Sequence, residues 1–330
     1  MSPLSLPAPR RLFVPRARRV ACTFLRTAAL ACATALAVAP VHAQTAAAPV
    51  RIGTGIDAAY TPWYLANSQK GFDKAGLKVN FKKFANGGEA LDGSLAGMID
   101  MSGAAEPSVL VRMAHGDVRA LAVFGQSANF IKLAVRPGIT DARQIKKYGV
   151  IAGSVSDYAT VKLLEKNGID PASVQIIKSG PPELPALLTS GAIDAFFSPE
   201  PWPSLAVKQG AKILMNSGDV GYTFTLWVTA AGPWFDTHQD DARRVVASLA
   251  QACREIRADP AKGAAAAQAE TKAPPAMTLS FLSEVDCTVR DFTDQDMASY
   301  DQIADFLAKA KITPTRVDFR KSMVRGFYKE

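Results

Sequence analysis

Gly97-Met98-Ile99-Asp100-Met101-Ser102-Gly103-Ala104-Ala105-Glu106-Pro107 is written a second time as Gly191-Ala192-Ile193-Asp194-Ala195-Phe196-Phe197-Ser198-Pro199-Glu200-Pro201. Both copies obey G-x-I-D-x5-E-P, and both run on to another glycine at the same distance, Gly116 and Gly210. A glycine closing an apolar periodic run marks a helix end. Ile-Asp stepping into small and apolar residues marks a buried strand, and proline after the glutamate marks the first turn of a new helix. The spacing therefore predicts helix, strand, turn and helix, twice over, in an α/β chain with an internal duplication. Open α/β sheets hold ligands at the C-terminal ends of their strands, which makes Glu106 and Glu200 candidates to face a cleft. The competing role for both is to cap the helices they precede, where an acid complements the dipole. Asp100 and Asp194, at the opposite ends of their strands, are read as structural.

Outward from the first copy, strands are expected at 50–53 and 78–84, with helices at 61–70 and 89–96 between them. Strand and helix thus alternate, which favours a mostly parallel sheet with helices on both faces. The apolar runs around 125–129 read as a first connection to a second unit. That unit opens on Val150-x-x-Gly153-Ser154-x-x-Asp157, which matches Val50-x-x-Gly53-Thr54-x-x-Asp57. Helices at 158–167 and 185–190 and strands at 174–178 and 212–215 complete it, and 221–230 returns the chain to the first unit. Beyond, the periodicity turns helical at 240–257, 261–271, 275–282, 295–310 and 316–328, with Thr313-Pro314 as a breaker. These helices are expected to pack on the first unit. The division is 50–128 with 226–330 for lobe 1 and 129–225 for lobe 2.

Residues 1–43 read as an export signal, with Arg10, Arg11, Arg16, Arg18, Arg19 and Arg26 ahead of an apolar run at 28–39 and Val41-His42-Ala43 for cleavage after Ala43. Residues 44–49 form a short tether. Pro9-Arg10-Arg11 leaves the general secretory and twin-arginine routes both open, with the former favoured because proline replaces the usual hydroxyl residue. Those six arginines are part of 38 basic residues, against 30 acidic ones. The chain from Gln44 onward therefore carries about +2, too little to suggest a nucleic-acid or anionic-membrane partner. Cys253 and Cys287 are the thiols left after cleavage; an oxidising compartment permits a disulfide between them, and two buried apolar cysteines is the equal alternative.

His115 and His238 sit in no metal-ligand spacing and near no nucleophile elbow. Gly53-Thr54-Gly55 lacks the third glycine of a dinucleotide fingerprint, and no phosphate-binding GxxxxGK[ST] is present. No catalytic residue, metal or cofactor is assigned. What remains is recognition chemistry at loops: Tyr60 and Trp63 after the first strand, Asn86 with Gly88, and Gln126 at the first connection. In the second unit Ser154, Ser156 and Tyr158 lie where a strand passes to a helix, and Ser198 and Trp202 flank Glu200. Hydroxyls and free amides at a helix start attract anions, although Ser156 or Asp157 would also serve as a plain N-cap.

With TPWYLANSQKGFDKAGLKVNF after the first strand, then GGEALDGSLAGMID and ALLTSGAIDAFFSPEPW, the chain resembles the substrate-binding proteins of ABC importers in the nitrate, sulfonate and taurine group, which includes the thiamine-precursor type. The resemblance spans essentially everything after the signal. It implies the type II periplasmic binding protein fold, two lobes joined by two crossing hinge connections. It also implies a soluble periplasmic monomer that captures a small organic anion or zwitterion, sulfonate- or taurine-like, and delivers it to an inner-membrane permease. A pyrimidine thiamine precursor or aromatic carboxylate is the rival cargo. An enzyme on the same fold, of the pyrimidine synthase kind, is disfavoured because those relatives carry a cysteine-rich motif that this chain lacks.

Overall fold

Asp100 and Asp194 show how the duplication is built. Each ends the turn before its strand and accepts the amide of the neighbouring parallel strand: Asp100 from Arg51 N at 2.7 Å, Asp194 from Lys146 N and Lys147 N at 2.9 and 3.0 Å. An arginine closes each from outside, Arg51 Nε at 3.1 Å and Arg136 Nε at 3.0 Å. Burial opposes ionisation of Asp194, but the Lys146 amide, Arg136 and the Lys147 amide together hold its carboxyl below the ordinary value. The stability it contributes is therefore present above the usual carboxylate range and lost as pH falls through the lowered value. We expect Asp194→Ala to lower the unfolding free energy by about 2–3 kcal/mol, since two amides lose their acceptor, with ligand affinity unchanged. Urea titration paired with ligand titration checks both halves.

The computed structural model describes residues 48–329; the expected signal, its cleavage site after Ala43 and most of the tether lie outside the described residues. The first unit runs β1 (Val50–Thr54), α1 (Thr61–Ser68), α2 (Gly71–Lys74), β2 (Val79–Lys83), α3 (Gly87–Leu95), β3 (Met101–Ala105), α4 (Glu106–Met113) and β4 (Val118–Ser127). The second runs β5 (Lys132–Val135), β6 (Lys147–Val150), α5 (Val155–Asn167), β7 (Gln175–Lys178), α6 (Leu184–Thr189), β8 (Ala195–Ser198), α7 (Trp202–Lys208) and β9 (Lys212–Asn216). β10 (Phe224–Ala231) then leads to α8 (Gly232–Phe235), α9 (Gln239–Ala258), α10 (Pro260–Thr271), α11 (Pro275–Glu284) and α12 (Asp294–Lys309).

Two five-stranded sheets result, β2-β1-β3-β10-β4 and β7-β6-β8-β5-β9. In each, the fourth strand runs against its neighbours and comes from a crossing: β10 is the return into the first sheet and β5 the entry into the second. The chain passes between the sheets twice, at 128–131 and 217–223. α9 presents Ala242, Val245, Val246, Leu249, Cys253 and Ile256 as one buried face, packed on α1 and β4, while α10 also lies on α1 and α12 on α4. The late helices thus join the first sheet, as their position after the return predicts.

Sheet pairing corrects the sequence match between the two openings. Ile52 pairs with Met101 and Tyr148 with Ala195, so Gly53 corresponds to Gly149 and not to Gly153. The reason for glycine is the same at both sites. A Cβ on Gly53 would lie 2.3 Å from Ile99 Cδ1, and one on Gly149 would lie 2.6 Å from Ile193 Cδ1, so the repeated isoleucine occupies the missing side chain's place. The expected helix at 316–328 is also corrected. Apart from a short 3-10 turn at Phe319–Lys321, this segment is irregular and lies along the outer edge of β4, where Ala120 N donates to Ser322 O and Val324 N to Ala120 O. Residues 286–290 cover the same edge through Val123 and Gln126. Edge amides need partners, and meeting that need competes with a last helix.

Candidate functional site

One cavity of about 300 Å³ lies beyond the C-terminal ends of β1, β2, β3, β6, β7 and β8 and draws its walls from both units. Asp57, Tyr60, Asn86, Gly87, Gly88, Ala105 and Arg112 come from the first, and residues 151–155, Pro181 and Pro199 from the second. The crossings add Phe130 and Ile131 on the way out and Phe224 and Leu226 on the return. Most of this surface is apolar, and no histidine or cysteine lines it.

The polar groups gather at two helix starts. Asn86 caps α3, its Oδ1 accepting Glu89 N at 3.0 Å. The first helical bond is Ala90 N to Asn86 O, so the amides of Gly87 and Gly88 precede any helical acceptor. Gly87 needs glycine for close approach, whereas a side chain at Gly88 would ask only the flexible end of Arg112 to give slightly. A Cβ on Gly87 would stand 2.3 Å from Tyr60 Oη and 2.9 Å from Gly103 O, and one on Gly88 would stand 3.1 Å from Arg112 Nη2. The Tyr60 hydroxyl and the Arg112 guanidinium therefore flank the start of α3. Tyr60 Oη donates to Gly103 O at 2.8 Å. Arg112 grips Asp92 through Nε and Nη2 at 2.9 and 2.8 Å, and this pairing holds the Asp92 carboxyl below its ordinary value. Its Nη1 makes no hydrogen bond among the described residues.

Facing α3 from the second unit is the start of α5. Ser154 caps it, accepting Ser156 N at 3.1 Å and donating to Ile151 O at 2.7 Å. The helix opens at Val155, three residues before the expected start, because Ser154 rather than Ser156 or Asp157 provides the cap. Each helix start carries a partial positive charge, and both open on one cavity of low polarity, an arrangement suited to an anionic group. Besides Glu89 in the first turn of α3, the first wall carries a second acid, Asp57. Its Oδ1 caps a single 3-10 turn by accepting Ala59 N at 2.8 Å, and desolvation pushes its carboxyl up to about 6.

Of the residues singled out in the sequence, Tyr60, Asn86, Gly88 and Ser154 line this cavity. The others are placed elsewhere. Glu106 is wholly buried because α4 begins on it and turns its carboxyl toward the return crossing, where it accepts Tyr222 Oη and Thr225 N, both at 2.9 Å. Glu200 accepts Ser204 N at 3.1 Å, capping the start of α7, and meets Lys132 Nζ at 3.3 Å; Lys132 reaches Glu284 at 2.7 Å. The expected pair of cleft carboxylates is therefore replaced by a buried acid in one copy and a helix-capping ion pair in the other.

Trp63 is buried edge-on to Phe124. Gln126 is committed to Arg290, whose Nη2 donates to its Oε1 at 2.6 Å. Ser156 is buried under Ile151 N, and Tyr158 packs edge-on to Tyr222 with Phe306 beside it. Ser198 is buried at the end of β8, and half-buried Trp202 opens α7 against the second unit's small core. Arg112, Asp57 and the aromatic and aliphatic residues of the crossings were missed. Asp57 had one signal, its place in the strand-loop pattern; Arg112 had none, since it reads as a charge near a helix end.

The NMT1-like family profile matches residues 43–271. A Bacillus subtilis protein named for binding aliphatic sulfonates is 29% identical over 175 residues, covering 50% of this chain and 53% of the relative, so the match spans about half of that relative's length. An Escherichia coli protein named likewise is 22% identical over 251 residues, 74% of this chain and 78% of the relative. Among solved structures, the periplasmic aliphatic sulphonate binding protein SsuA from Escherichia coli superposes with a TM-score of 0.76 at 21% identity, covering 84% of this chain and 97% of that one. The two-sheet, twice-crossed architecture is thus the periplasmic binding protein fold, and with the profile spanning more than half of its residues the chain belongs to the NMT1-like family.

Proposed function

We propose that this protein is the substrate-binding component of an ABC importer, exported to the periplasm, which captures an organic anion between its lobes and hands it to a membrane permease. The observation that carries the reading is the convergence of the α3 and α5 starts, one from each lobe, on a single apolar-walled cavity beside Arg112. A ligand touching both starts favours the closed form over the open one, which is how binding becomes a signal to a permease. The relatives' names supply the head group, a sulfonate. The apolar walls and about 300 Å³ of space suit an organic body attached to it and leave a bare nitrate poorly filled.

The test is a thermal-shift panel on the chain from Gln44 onward, which contains the whole compact unit 46–330. Alkyl and aryl sulfonates, taurine, nitrate, aromatic carboxylates and aminopyrimidines are compared. A true ligand at about 100 times its dissociation constant adds about 2.7 kcal/mol, and we expect sulfonates to do so while nitrate does not. A panel in which every sulfonate leaves the transition unmoved removes this reading.

A further inference from the structure

We propose that Lys132 and Glu284 form an ionic latch across the first crossing. The latch favours the arrangement in which the cavity is walled from both sides, and so sets ligand affinity without either residue touching the ligand.

Lys132 opens β5 in the second unit and Glu284 ends α11 in the first. Their contact at 2.7 Å is the one ion pair joining the two units among the described residues, since Lys132 with Glu200, Arg136, Arg143 and Lys162 all pair within the second. Neither side chain lines the cavity. Lys132 is 14% and Glu284 24% exposed, so their attraction is weakly screened. Glu284 grips the crossing at both ends. Its carbonyl accepts Ser127 Oγ at 2.6 Å, and the same hydroxyl accepts the amides of Asn129 and Phe130, each at 3.0 Å. Its carboxylate meets Lys132 where the crossing ends. Phe281, in the preceding turn of α11, stands edge-on to Phe130 with ring centroids 4.4 Å apart, and Phe130 is a wall of the cavity. The end of α11 therefore fixes the segment on which part of the site is carried.

Two features make this contact one that can release. Lys132 has a second acid, Glu200, at 3.3 Å within its own unit, whose other oxygen is taken by Ser204 N. That contact survives any rotation at 128–131, whereas the Glu284 contact does not, because the rotating residues lie between its two ends. Separation leaves Lys132 paired with Glu200. It also brings water to Glu284 Oε2, a buried oxygen with no hydrogen-bond partner among the described residues, and meeting that acceptor lowers the cost of opening. The latch thus holds the lobes together while remaining weak enough to let them part.

Small-angle scattering from the ligand-free chain, Gln44 onward, reads the arrangement directly. Glu284→Ala is the decisive variant because Lys132 keeps Glu200, and thermal melts confirm that it folds. We expect its radius of gyration to exceed that of the wild type. Glu284→Gln, which keeps the shape of the side chain and the Ser127 contact, should move the radius the same way by less. A merely structural role would lower the melting temperature and leave the radius unmoved. Stopped-flow binding of ethanesulfonate reads the consequence: the Glu284→Ala complex should dissociate about tenfold faster with association unchanged, because the ligand enters while the lobes are apart. Superimposable scattering curves for wild type and Glu284→Ala, or an unchanged dissociation rate, overturn the latch. Ethanesulfonate that fails to bind the wild type counts against the anion reading alone, and the ligand-free scattering still decides the latch.

Discussion

Replacing Glu106 by glutamine is expected to remove several kcal/mol of stability loss that the wild type suffers as pH rises from about 5 to about 8. Burial pushes this carboxyl up to about 8, more than the Thr225 amide and the Tyr222 hydroxyl pull it down. Across that window the folded protein holds a proton on Glu106 that the unfolded chain has already released. Unfolding free energy then falls with rising pH by about 1.4 kcal/mol per unit for this one group, and levels off once the folded carboxyl also ionises. Glutamine keeps the shape and both contacts: its Oε1 accepts Thr225 N, and its Nε2 donates to Tyr222 Oη, which can accept as readily as donate. Urea unfolding at about pH 5, 6.5 and 8 measures the effect. The difference between wild type and Glu106→Gln isolates the group from others that titrate in this range, Asp57 among them. Parallel curves for the two proteins would show that Glu106 is ionised in the fold and sink the prediction. The variant should be the more stable protein at pH 8 and close to wild type at pH 5.

That acid also marks where the sequence stopped being informative. Both copies of G-x-I-D-x5-E-P place a glutamate at a strand's C-terminal end, and period and spacing carry no more than that. What separates them is a shift of two residues in where the helix begins. α4 starts on Glu106 and directs it inward to β10, whereas α7 starts on Trp202 and leaves Glu200 outside as a cap. By contrast the structural half of the motif was legible, because a buried Asp beside a strand entry has a single use, satisfying amides of the neighbouring strand. The alternation of strands and helices, the two crossings and the late helices were legible for the same reason: each follows from local periodicity and chain order. Of the twelve residues singled out, four line the cavity, and those depended on local chemistry, as with Asn86, Gly88 and Ser154 at helix starts. Arg112 and the crossing residues lie in the cavity through tertiary placement alone. The final segment, 316–328, was misread because its apolar spacing answers to the edge of β4 and not to a helix period.

Cys253 and Cys287, left open by the sequence, are joined in a disulfide with Cα atoms 5.2 Å apart and a separation of 34 positions in the chain. Removing the bond by Cys253→Ala with Cys287→Ala is expected to lower the unfolding free energy by about 3–4 kcal/mol, the loop-closure value for a link of this span. The location argues for a full effect. Cys253 lies on the buried face of α9, and Cys287 lies in the stretch that bonds the outer edge of β4 through Asp286 and Arg290. Arg257, one turn further along α9, donates to Cys287 O at 2.5 Å and Thr288 Oγ1 at 2.9 Å, so the bond ties helix, strand edge and connecting segment into one unit. Both sulfurs are buried, and a reductant acting on the folded protein should therefore have little effect. Dithiothreitol present through a urea titration should instead bring the wild-type midpoint down to that of the double variant. If the thiols are free in solution, dithiothreitol will leave the wild-type midpoint unmoved. The double variant will then lose only the packing of two small side chains, about 1 kcal/mol each.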